Sequence, residues 1–182
     1  MNGIARLAKA YHFAAAKHVA QRRKGAAAEP YVNHLTEVAD LVAEATAGAD
    51  VDLVLAAVLH DTVEDTETSL AELERCFGDR VAALVAEVTD DKSLPKAERK
   101  RLQIEHATHA TPGAQIVKLA DKTSNLRALL SSPPADWPAQ RKAEYVAWAR
   151  QVVDGCRGAN SWLEARFDAA AEALDAEAVA AD

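Results

Sequence analysis

The apolar segment "VDLVLAAVL" (51–59) most constrains the fold, because it leads directly into a cluster of ionisable side chains. A segment that is apolar nearly all round predicts a helix buried in the middle of a domain. The next residues, "HDTVEDT" (60–66), contain one histidine and three carboxylates. Burying several carboxylates together is costly unless a cation or another partner neutralises them. The stretch therefore predicts a divalent metal ion near the end of a central helix.

The length and composition of the chain predict a single all-α domain. A chain of 182 residues can bury one sizeable core but is too short for two ordinary domains. Hydrophobic residues make up 49%, with only 7 Gly and 6 Pro, so helix formers dominate over turn formers. We predict one helical bundle of roughly 8–10 helices over residues 1–182. Its motif-bearing core is predicted at about 5–145, C-terminal helices at about 138–175 and a frayed tail after 175.

Helical periodicity and capping residues predict where the helices lie. Ser69 and Glu72 stand at capping-box spacing, and Pro95 and Pro112 suit the first position of a helix. The segment "SSPPADWP" is predicted to be a loop. The predicted helices span 4–22, 31–47, 51–64, 69–78, 79–88, 95–108, 112–130, 140–153 and 160–174.

Charge and hydropathy argue against two classes of partner. The net charge of −7 argues against a nucleic-acid binder, whose phosphate contacts need a broad basic face. No stretch approaches the roughly 20 uncharged apolar residues of a membrane span. Positive charge is concentrated in "RRK" (22–24) and "KAERKR" (96–101), which leaves a small anionic substrate open. We expect no nucleic-acid or membrane partner, and the sequence predicts no oligomeric state.

Cysteine use and the first residues bear on location. Cys76 and Cys156 lie 80 positions apart without metal-ligand spacing, so we expect free thiols in a reducing cytoplasm. The segment 4–24 is basic and amphipathic, as organelle transit peptides are, and no acidic residue precedes Glu29. Because it contains no serine and runs directly into a motif described below, we interpret it as the first helix of the domain.

Two further residues interrupt segments that are otherwise patterned for burial. His34 follows "EPYVN" on the second predicted helix, and Asp121 interrupts the buried pattern "IVKLADKTSNL". A lone buried histidine is more often a core residue, whereas a buried aspartate usually has a cation or several donors. With His60 and Asp61 they form a set of two histidines and two carboxylates. Such a set suits a first-row divalent ion such as manganese, iron or zinc.

The order of these residues resembles that of the HD-domain metal phosphohydrolases, in which a histidine precedes an "HD" pair and a later aspartate. More narrowly, the chain is similar to the hydrolase domain of the RelA/SpoT family, above all to its stand-alone small alarmone hydrolases and the metazoan SpoT homologue. The segments that carry this similarity are "RRKGAAAEPYVNH", "LHDTVEDT", "FGDRVAALVAEVTDDKSLPKAERKRLQ" and "PGAQIVKLADKTSNLRAL". The similarity runs from about Ala5 to Tyr145 and implies an all-α HD domain.

The resemblance also implies roles for particular side chains. One manganese ion would be held by His34, His60, Asp61 and Asp121. The acids Glu64 and Asp65, one helical turn further on, would orient and deprotonate the attacking water. Positions that match the family's nucleotide contacts are Arg23, Lys24, Asn125, Arg141 and Tyr145. Of these, Arg23 would pack on the guanine base, as a planar guanidinium can.

The substrate that the resemblance implies is guanosine tetra- or pentaphosphate, cleaved at its 3′-pyrophosphate to give GDP or GTP and pyrophosphate. A divalent metal suits this reaction, because it acidifies water and polarises a phosphoryl oxygen. Two alternatives stay open. The same chemistry could act on an adenosine-based alarmone or on the 2′-phosphate of NADPH. The chain could also bind a nucleotide without hydrolysing it, although Glu64 and Asp65, which a binder could lose, are both present.

A few positions depart from the family pattern or lie outside it. Leu35 stands where the family commonly has proline, which bears on helix geometry and not on ligation. Thr123 and Ser124 stand where relatives carry larger residues, which predicts a reshaped base pocket. The basic residues of 96–101 are expected to form either an anion-attracting rim or an ordinary charged helix face. Packing is the expected role of the tryptophans Trp137, Trp148 and Trp162.

Overall fold

Residues 2–181, the part of the chain that the computed structural model describes, contain ten α-helices. In chain order they are α1 (Gly3–Lys17), α2 (Val32–Ala45), α3 (Val51–Leu59), α4 (Thr62–Asp65), α5 (Leu70–Phe77), α6 (Asp79–Val88), α7 (Lys96–Ala107), α8 (Pro112–Ser131), α9 (Ala139–Asp154) and α10 (Ser161–Ala181). The described residues contain no β-strand, and an antiparallel bridge joins Arg22 to Pro30. The predicted all-α fold is confirmed.

Helix α3 lies in the middle of the bundle, as its apolar composition predicts. All of its residues from Leu53 to Leu59 are buried. It packs against α1, α2, α6 and α8. Asp50 caps its first turn, because the carboxylate accepts a hydrogen bond from the amide of Leu53 at 3.1 Å. The central position of α3 places His60, which follows it directly, in the interior of the fold.

Helices α2 and α8 flank α3 and also pack against each other. The buried face of α2 contains His34 beside Leu35 and Val38. Helix α8 begins at Pro112, as predicted, and Thr111 caps it. Most of the middle of α8 is buried, because α10 and α2 cover it. Helices α2 and α8 and the turn after α3 thus bring the predicted metal ligands to one place.

Two helices end earlier than the sequence pattern predicts. Helix α1 ends at Lys17 and not at Arg22, and the chain then turns so that Arg22 can pair with Pro30. Helix α3 ends at Leu59 and not at Glu64, and the short α4 follows after a turn. At this turn the His60 ring donates to the carbonyl of Ala57 at 2.8 Å. That carbonyl would accept from the amide of residue 61 if the helix continued.

The last helix extends beyond its predicted end at Leu174. Helix α10 continues to Ala181, so the tail predicted to fray after 175 is helical as far as that residue. Leu163, Phe167 and Leu174 anchor α10 on the core. Residues 175–180 are exposed, but they are rich in alanine, which favours helix without tertiary contacts.

Cys76 and Cys156 are both free thiols, and Cys156 is buried. Among residues 2–181, none of the helices combines the length and the apolarity that crossing a bilayer requires.

Candidate active site

The predicted ligand set assembles where α2, α8 and the turn between α3 and α4 meet. His34 belongs to α2, His60 and Asp61 to the turn, and Asp121 to α8. Nε2 of His34 lies 3.2 Å from Oδ1 of Asp121 and 3.6 Å from Oδ2 of Asp61. Nε2 of His60 lies 3.1 Å from Oδ2 of Asp61 and 3.8 Å from Oδ1 of Asp121. Two imidazole nitrogens and two carboxylate oxygens therefore face one another across a few ångströms.

This donor set fits a divalent metal ion. Ligand atoms from His34, His60 and Asp121 all lie within 4.8 Å of one another. Nε2 of His60 is buried and forms no well-aligned hydrogen bond in the described part of the chain, although Oδ2 of Asp61 lies 3.1 Å away. A buried polar atom without a partner is costly, and a metal bond would satisfy it. The mixture of nitrogen and oxygen donors suits a first-row ion better than calcium.

The charges of the ligand set stabilise one another. Burial acts to raise the pKa of Asp61, but the His60 and His34 rings hold it well below its ordinary value of 3.8. The pKa of Asp121 is also well below its ordinary value, because Lys122 and the two rings outweigh burial. Burial acts to lower the pKa of His60, yet the two carboxylates raise it well above its ordinary value. Two ionised, buried carboxylates need compensating positive charge, which a divalent cation can supply.

Neighbouring side chains fix the orientation of the two carboxylates. The Tyr31 hydroxyl donates to Oδ2 of Asp61 at 2.5 Å. Asp121 accepts from Nδ2 of Asn125 at 2.7 Å and from Nζ of Lys122 at 2.8 Å. No role for Tyr31 or Lys122 was predicted from the sequence. For Tyr31 a signal existed, because it precedes His34 by three residues and so lies on the same side of the chain.

Glu64 lies on α4 and borders the ligand set. It lines the same cavity as His60, Asp61 and Asp121, with a volume of ≈ 160 Å³. Its Oε2 accepts a hydrogen bond from the amide of Asp90 at 3.1 Å. Burial, assisted by the charge of Asp61, raises the pKa of Glu64 to about 7. A carboxyl group with such a pKa can accept and release a proton near neutral pH.

Asp65 is the second acid of α4 and is held by donors on both of its oxygens. Nε2 of Gln21 donates to Oδ2 at 2.7 Å. Nζ of Lys92 forms an ion pair with Oδ1. The carboxylate therefore has a fixed orientation beside Glu64, and both acids line the cleft described next.

The ligand set opens into a cleft of ≈ 520 Å³, a size typical of small-molecule sites. The cleft brings the two acids of α4 together with four of the predicted nucleotide contacts, namely Arg23, Lys24, Asn125 and Tyr145. Nη1 of Arg23 donates to Oδ1 of Asn125 at 3.3 Å. Because Asn125 also bonds Asp121, the loop between α1 and α2 is linked through one amide to a predicted metal ligand.

Gly25 fixes that loop against the loop between α8 and α9. A Cβ atom at position 25 would lie 2.1 Å from the carbonyl oxygen of Ser132, so only glycine fits. The amide of Ala27 donates to Oγ of Ser132 at 3.0 Å, and the amide of Ala26 donates to the carbonyl of Pro133 at 3.2 Å. This close packing fixes the position of the loop that carries Arg23 and Lys24, which both line the cleft.

The fifth predicted contact, Arg141, lies in an adjoining pocket of ≈ 440 Å³ that we call the aromatic pocket. Its aromatic walls are Trp137, Tyr145 and Trp148. The Arg141 guanidinium lies 4.4 Å from the centre of the Trp137 ring, and Nζ of Lys100 lies 4.5 Å from that of Trp148. Trp137 and Trp148 thus do more than the packing predicted for them, because they line a pocket that shares Glu64 and Tyr145 with the cleft.

The basic segment 96–101 has two different roles in the structure. Lys96, Arg99 and Lys100 line the aromatic pocket, as an anion-attracting rim would. Arg101 instead forms exposed ion pairs with Glu98 and Glu105, as an ordinary charged helix face does. Each of the two alternatives considered for this segment therefore applies to part of it.

The prediction that Thr123 and Ser124 reshape the base pocket is wrong. Both side chains are fully buried and neither lines the cleft or the aromatic pocket. Thr123 donates to the carbonyl of Leu119 at 2.8 Å, within its own helix. Ser124 lies behind His34, with its Oγ 2.9 Å from Nδ1 of that ring. Their direction on α8 could not be deduced from their size.

Comparisons with known proteins identify similar chains. A sequence profile described as HD domain matches residues 10–150. The human protein named guanosine-3′,5′-bis(diphosphate) 3′-pyrophosphohydrolase MESH1 is 52% identical over 160 residues, which cover 88% of this chain and 89% of the human one. The bifunctional (p)ppGpp synthase/hydrolase SpoT of Escherichia coli (strain K12) is 36% identical over 137 residues, covering 72% of this chain and 19% of SpoT.

A solved structure is also similar over nearly the whole chain. It is described as a metazoan orthologue of SpoT that hydrolyses ppGpp and plays a role in starvation responses. The superposition has a TM-score of 0.88 at 45% sequence identity, and it covers 91% of this chain and 93% of the other.

Proposed function

The chain belongs to the HD-domain family, within its SpoT-like hydrolases, and we propose that it hydrolyses the 3′-pyrophosphate of guanosine tetra- and pentaphosphate. The products are GDP or GTP and pyrophosphate. One observation carries the proposal: a buried set of metal-type ligands opens, past Glu64, into a cleft lined by Arg23, Lys24 and Asn125. Relatives that bear the name of this activity align with most of the chain.

We propose that the divalent metal is a single Mn²⁺ ion. The proposed ligands are His34, His60, Asp61 and Asp121. Their two imidazole nitrogens and two carboxylate oxygens support a first-row ion, and the buried Nε2 of His60 supports a metal bond at that atom. When bound, such a cation polarises a phosphoryl oxygen and makes water more acidic.

Glu64 is the proposed general base, and Asp65 is proposed to orient the attacking water. Burial raises the pKa of Glu64 to about 7, so its carboxylate can take a proton from water near neutral pH. Asp65 is suited to orientation, because Gln21 and Lys92 fix both of its oxygens. Both acids lie on α4, so the turn formed by His60 and Asp61 sets their distance from the ligand set.

The basic and amide side chains of the cleft are proposed to bind the nucleotide. Arg23 packs on the guanine, while Asn125 holds the Arg23 guanidinium at 3.3 Å. Lys24 and Tyr145 line both the cleft and the aromatic pocket, so they can contact the phosphates and ribose between the two. We expect Arg141, which lines the aromatic pocket, to pair with a phosphate beyond the reacting group.

A nucleotide panel with product analysis tests the proposed reaction. The Mn²⁺-loaded protein is incubated separately with guanosine tetraphosphate, an adenosine-based alarmone and NADPH. The proposal predicts pyrophosphate release from the guanosine alarmone. Orthophosphate release from NADPH alone, or turnover of the adenosine compound alone, would contradict it.

Variants of the two acids distinguish an enzyme from a nucleotide-binding protein. The rate of pyrophosphate release by the double variant Glu64→Ala with Asp65→Ala should be at least about 100-fold lower than that of the wild type. The double variant should still bind Mn²⁺, since neither residue is a proposed ligand. A wild type that binds both metal and nucleotide but turns over no more than the double variant would show binding without catalysis.

A further inference from the structure

A chain of hydrogen bonds runs from His34 to the protein surface on the side away from the cleft. Nδ1 of His34 lies 2.9 Å from Oγ of Ser124. The Ser124 hydroxyl donates to Oε2 of Glu37 at 2.7 Å. Oε1 of Glu37 lies 3.3 Å from Nη1 of Arg127. This series of hydrogen bonds joins two helices, because His34 and Glu37 belong to α2 whereas Ser124 and Arg127 belong to α8.

The donor and the acceptor of each hydrogen bond in this series follow from the groups involved. The Glu37 carboxylate can only accept, so the Ser124 hydroxyl uses its one proton on Oε2. Oγ of Ser124 is then left as an acceptor toward His34, which means that Nδ1 of the ring carries a proton. In the neutral ring that tautomer leaves Nε2 without a proton, and Nε2 is the atom that faces Asp61 and Asp121.

We propose that Ser124 and Glu37 are positioning residues that hold the His34 ring with Nε2 free to bind the divalent cation. The inference rests on the proposed function, in which His34 is a metal ligand. Ligating histidines commonly donate their second ring nitrogen to a carboxylate, a carbonyl or water. Here the carboxylate is that of Glu37, whose side chain is 34% exposed, and the buried Ser124 hydroxyl lies between it and the His34 ring.

The second histidine shows why this arrangement belongs to His34 alone. Nδ1 of His60 donates to the backbone carbonyl of Ala57 at 2.8 Å, so its orientation needs no side chain. His34 lies on α2, and its Nδ1 faces α8, where Ser124 provides the acceptor. Ser124 is fully buried, so a substitution that removes its hydroxyl leaves both Nδ1 and Glu37 without this partner.

Metal affinity tests the proposal directly. Protein stripped with chelator is titrated with Mn²⁺ by isothermal titration calorimetry for the wild type, Ser124→Ala and Thr123→Val. We expect Ser124→Ala to bind Mn²⁺ about 10–100-fold more weakly than the wild type. Thr123→Val removes a neighbouring, equally buried hydroxyl that bonds only the carbonyl of Leu119, so it should bind like the wild type. Glu37→Ala, at a partly exposed position, should weaken binding in the same direction by a smaller factor.

A readout on the ring separates positioning from a general loss of structure. The ring ¹⁵N chemical shifts of His34 in the metal-free protein should report a proton on Nδ1 in the wild type and a mixture of tautomers in Ser124→Ala. Unchanged Mn²⁺ affinity in Ser124→Ala, equal losses in Ser124→Ala and Thr123→Val, or an unchanged tautomer would each overturn the inference. If the wild type itself binds no Mn²⁺, the proposed function fails together with the inference. Binding by the wild type with unaltered binding by Ser124→Ala overturns the inference alone.

Discussion

The hydroxyl of Tyr31 donates a 2.5 Å hydrogen bond to Oδ2 of Asp61, the oxygen that lies 3.1 Å from Nε2 of His60. This contact connects the start of α2 to the turn after α3. Burial, together with the charge of Asp61, raises the pKa of Tyr31 far above its ordinary value. The hydroxyl therefore stays a donor across the whole working range of pH, and it holds Asp61 in one orientation.

We predict that Tyr31→Phe weakens Mn²⁺ binding and lowers kcat by about 10-fold, as loss of a partner to a metal ligand commonly does. The phenylalanine ring can keep the stacking contact that Tyr31 makes with His18, at 5.3 Å between ring centres. Tyr11→Phe, outside the cleft and the aromatic pocket, serves as the matched control. Equal Mn²⁺ affinity and equal kcat in the two variants would show that the Tyr31 hydroxyl has no role in positioning Asp61.

The pH dependence of hydrolysis tests Glu64 as the base. A base acts in its deprotonated form, so the rate should fall as pH decreases through the pKa of Glu64 and reach a plateau above it. That pKa is about 7 without a bound cation, and positive charge lowers it, so the acid limb should lie at or below about 7. The measurement is kcat against pH at saturating Mn²⁺. In Glu64→Gln the residual rate should lose this limb, and an identical limb in the variant would assign it to another group.

The contact between Gly25 and Ser132 predicts an effect on nucleotide binding. Gly25→Ala should shift the loop that carries Arg23 and Lys24, because its Cβ cannot lie 2.1 Å from a carbonyl oxygen. We expect kcat/KM to fall by about 10- to 100-fold, mainly through KM, with Mn²⁺ affinity unchanged. Gly158→Ala, outside the cleft, controls for a general loss of stability, because it is strained by a φ of +92° although no described atom lies within 4 Å of its Cβ position. If the KM of Gly25→Ala is no higher than that of Gly158→Ala, the position of this loop does not affect nucleotide binding.

The cap of α3 predicts an effect on stability that is independent of catalysis. Asp50→Ala should lower the free energy of unfolding by about 1 kcal/mol, because the amide of Leu53 loses its acceptor. Asp50→Ser retains a capping oxygen and loses only the ion pair with Arg80, so it should lose less. Urea unfolding measures both variants. An Asp50→Ser variant as unstable as Asp50→Ala would mean that the ion pair, and not the cap, provides the stability.

The same residue gives the sign of a pH effect on stability. The hydrogen bond from Arg80 lowers the pKa of Asp50 below its ordinary value of 3.8. The folded state therefore binds this proton less readily than the unfolded state, so the contribution is complete above 3.8 and is lost as pH falls through the lower, folded-state pKa. The difference in unfolding free energy between wild type and Asp50→Ala should accordingly shrink in acid.

The convergence of the proposed ligands was predictable from sequence because these residues contradict the apolar pattern around them. An aspartate inside a buried helix, or a histidine after "VDLVLAAVL", is costly without a partner. Such a residue can be recognised from the sequence alone. The helices were predictable for a similar reason, since Ser69 and Pro112 are local signals. The turn that separates α3 from α4 was not, because it accompanies a bond from the His60 ring to Ala57 that no periodicity reveals.

The remainder of the site depends on contacts between distant segments. Lys122 follows Asp121 in sequence, but the ring of Trp148, on another helix, lies 4.8 Å from its Nζ. The aromatic pocket likewise combines α7, α9 and the loop before α9. Ser124 is the clearest case. Its small size led to the prediction that it reshapes the base pocket, but on α8 its side chain points toward His34.

The need for a bound cation is tested by measuring pyrophosphate release from guanosine tetraphosphate while the metal-stripped protein is titrated with Mn²⁺. We expect no release before metal is added, followed by a rise that saturates at one bound ion per chain. Substitution of His60 by alanine should abolish that rise, because its buried Nε2 is a proposed ligand atom. Undiminished release from fully stripped protein, or no release from wild type with one ion bound, would contradict the account.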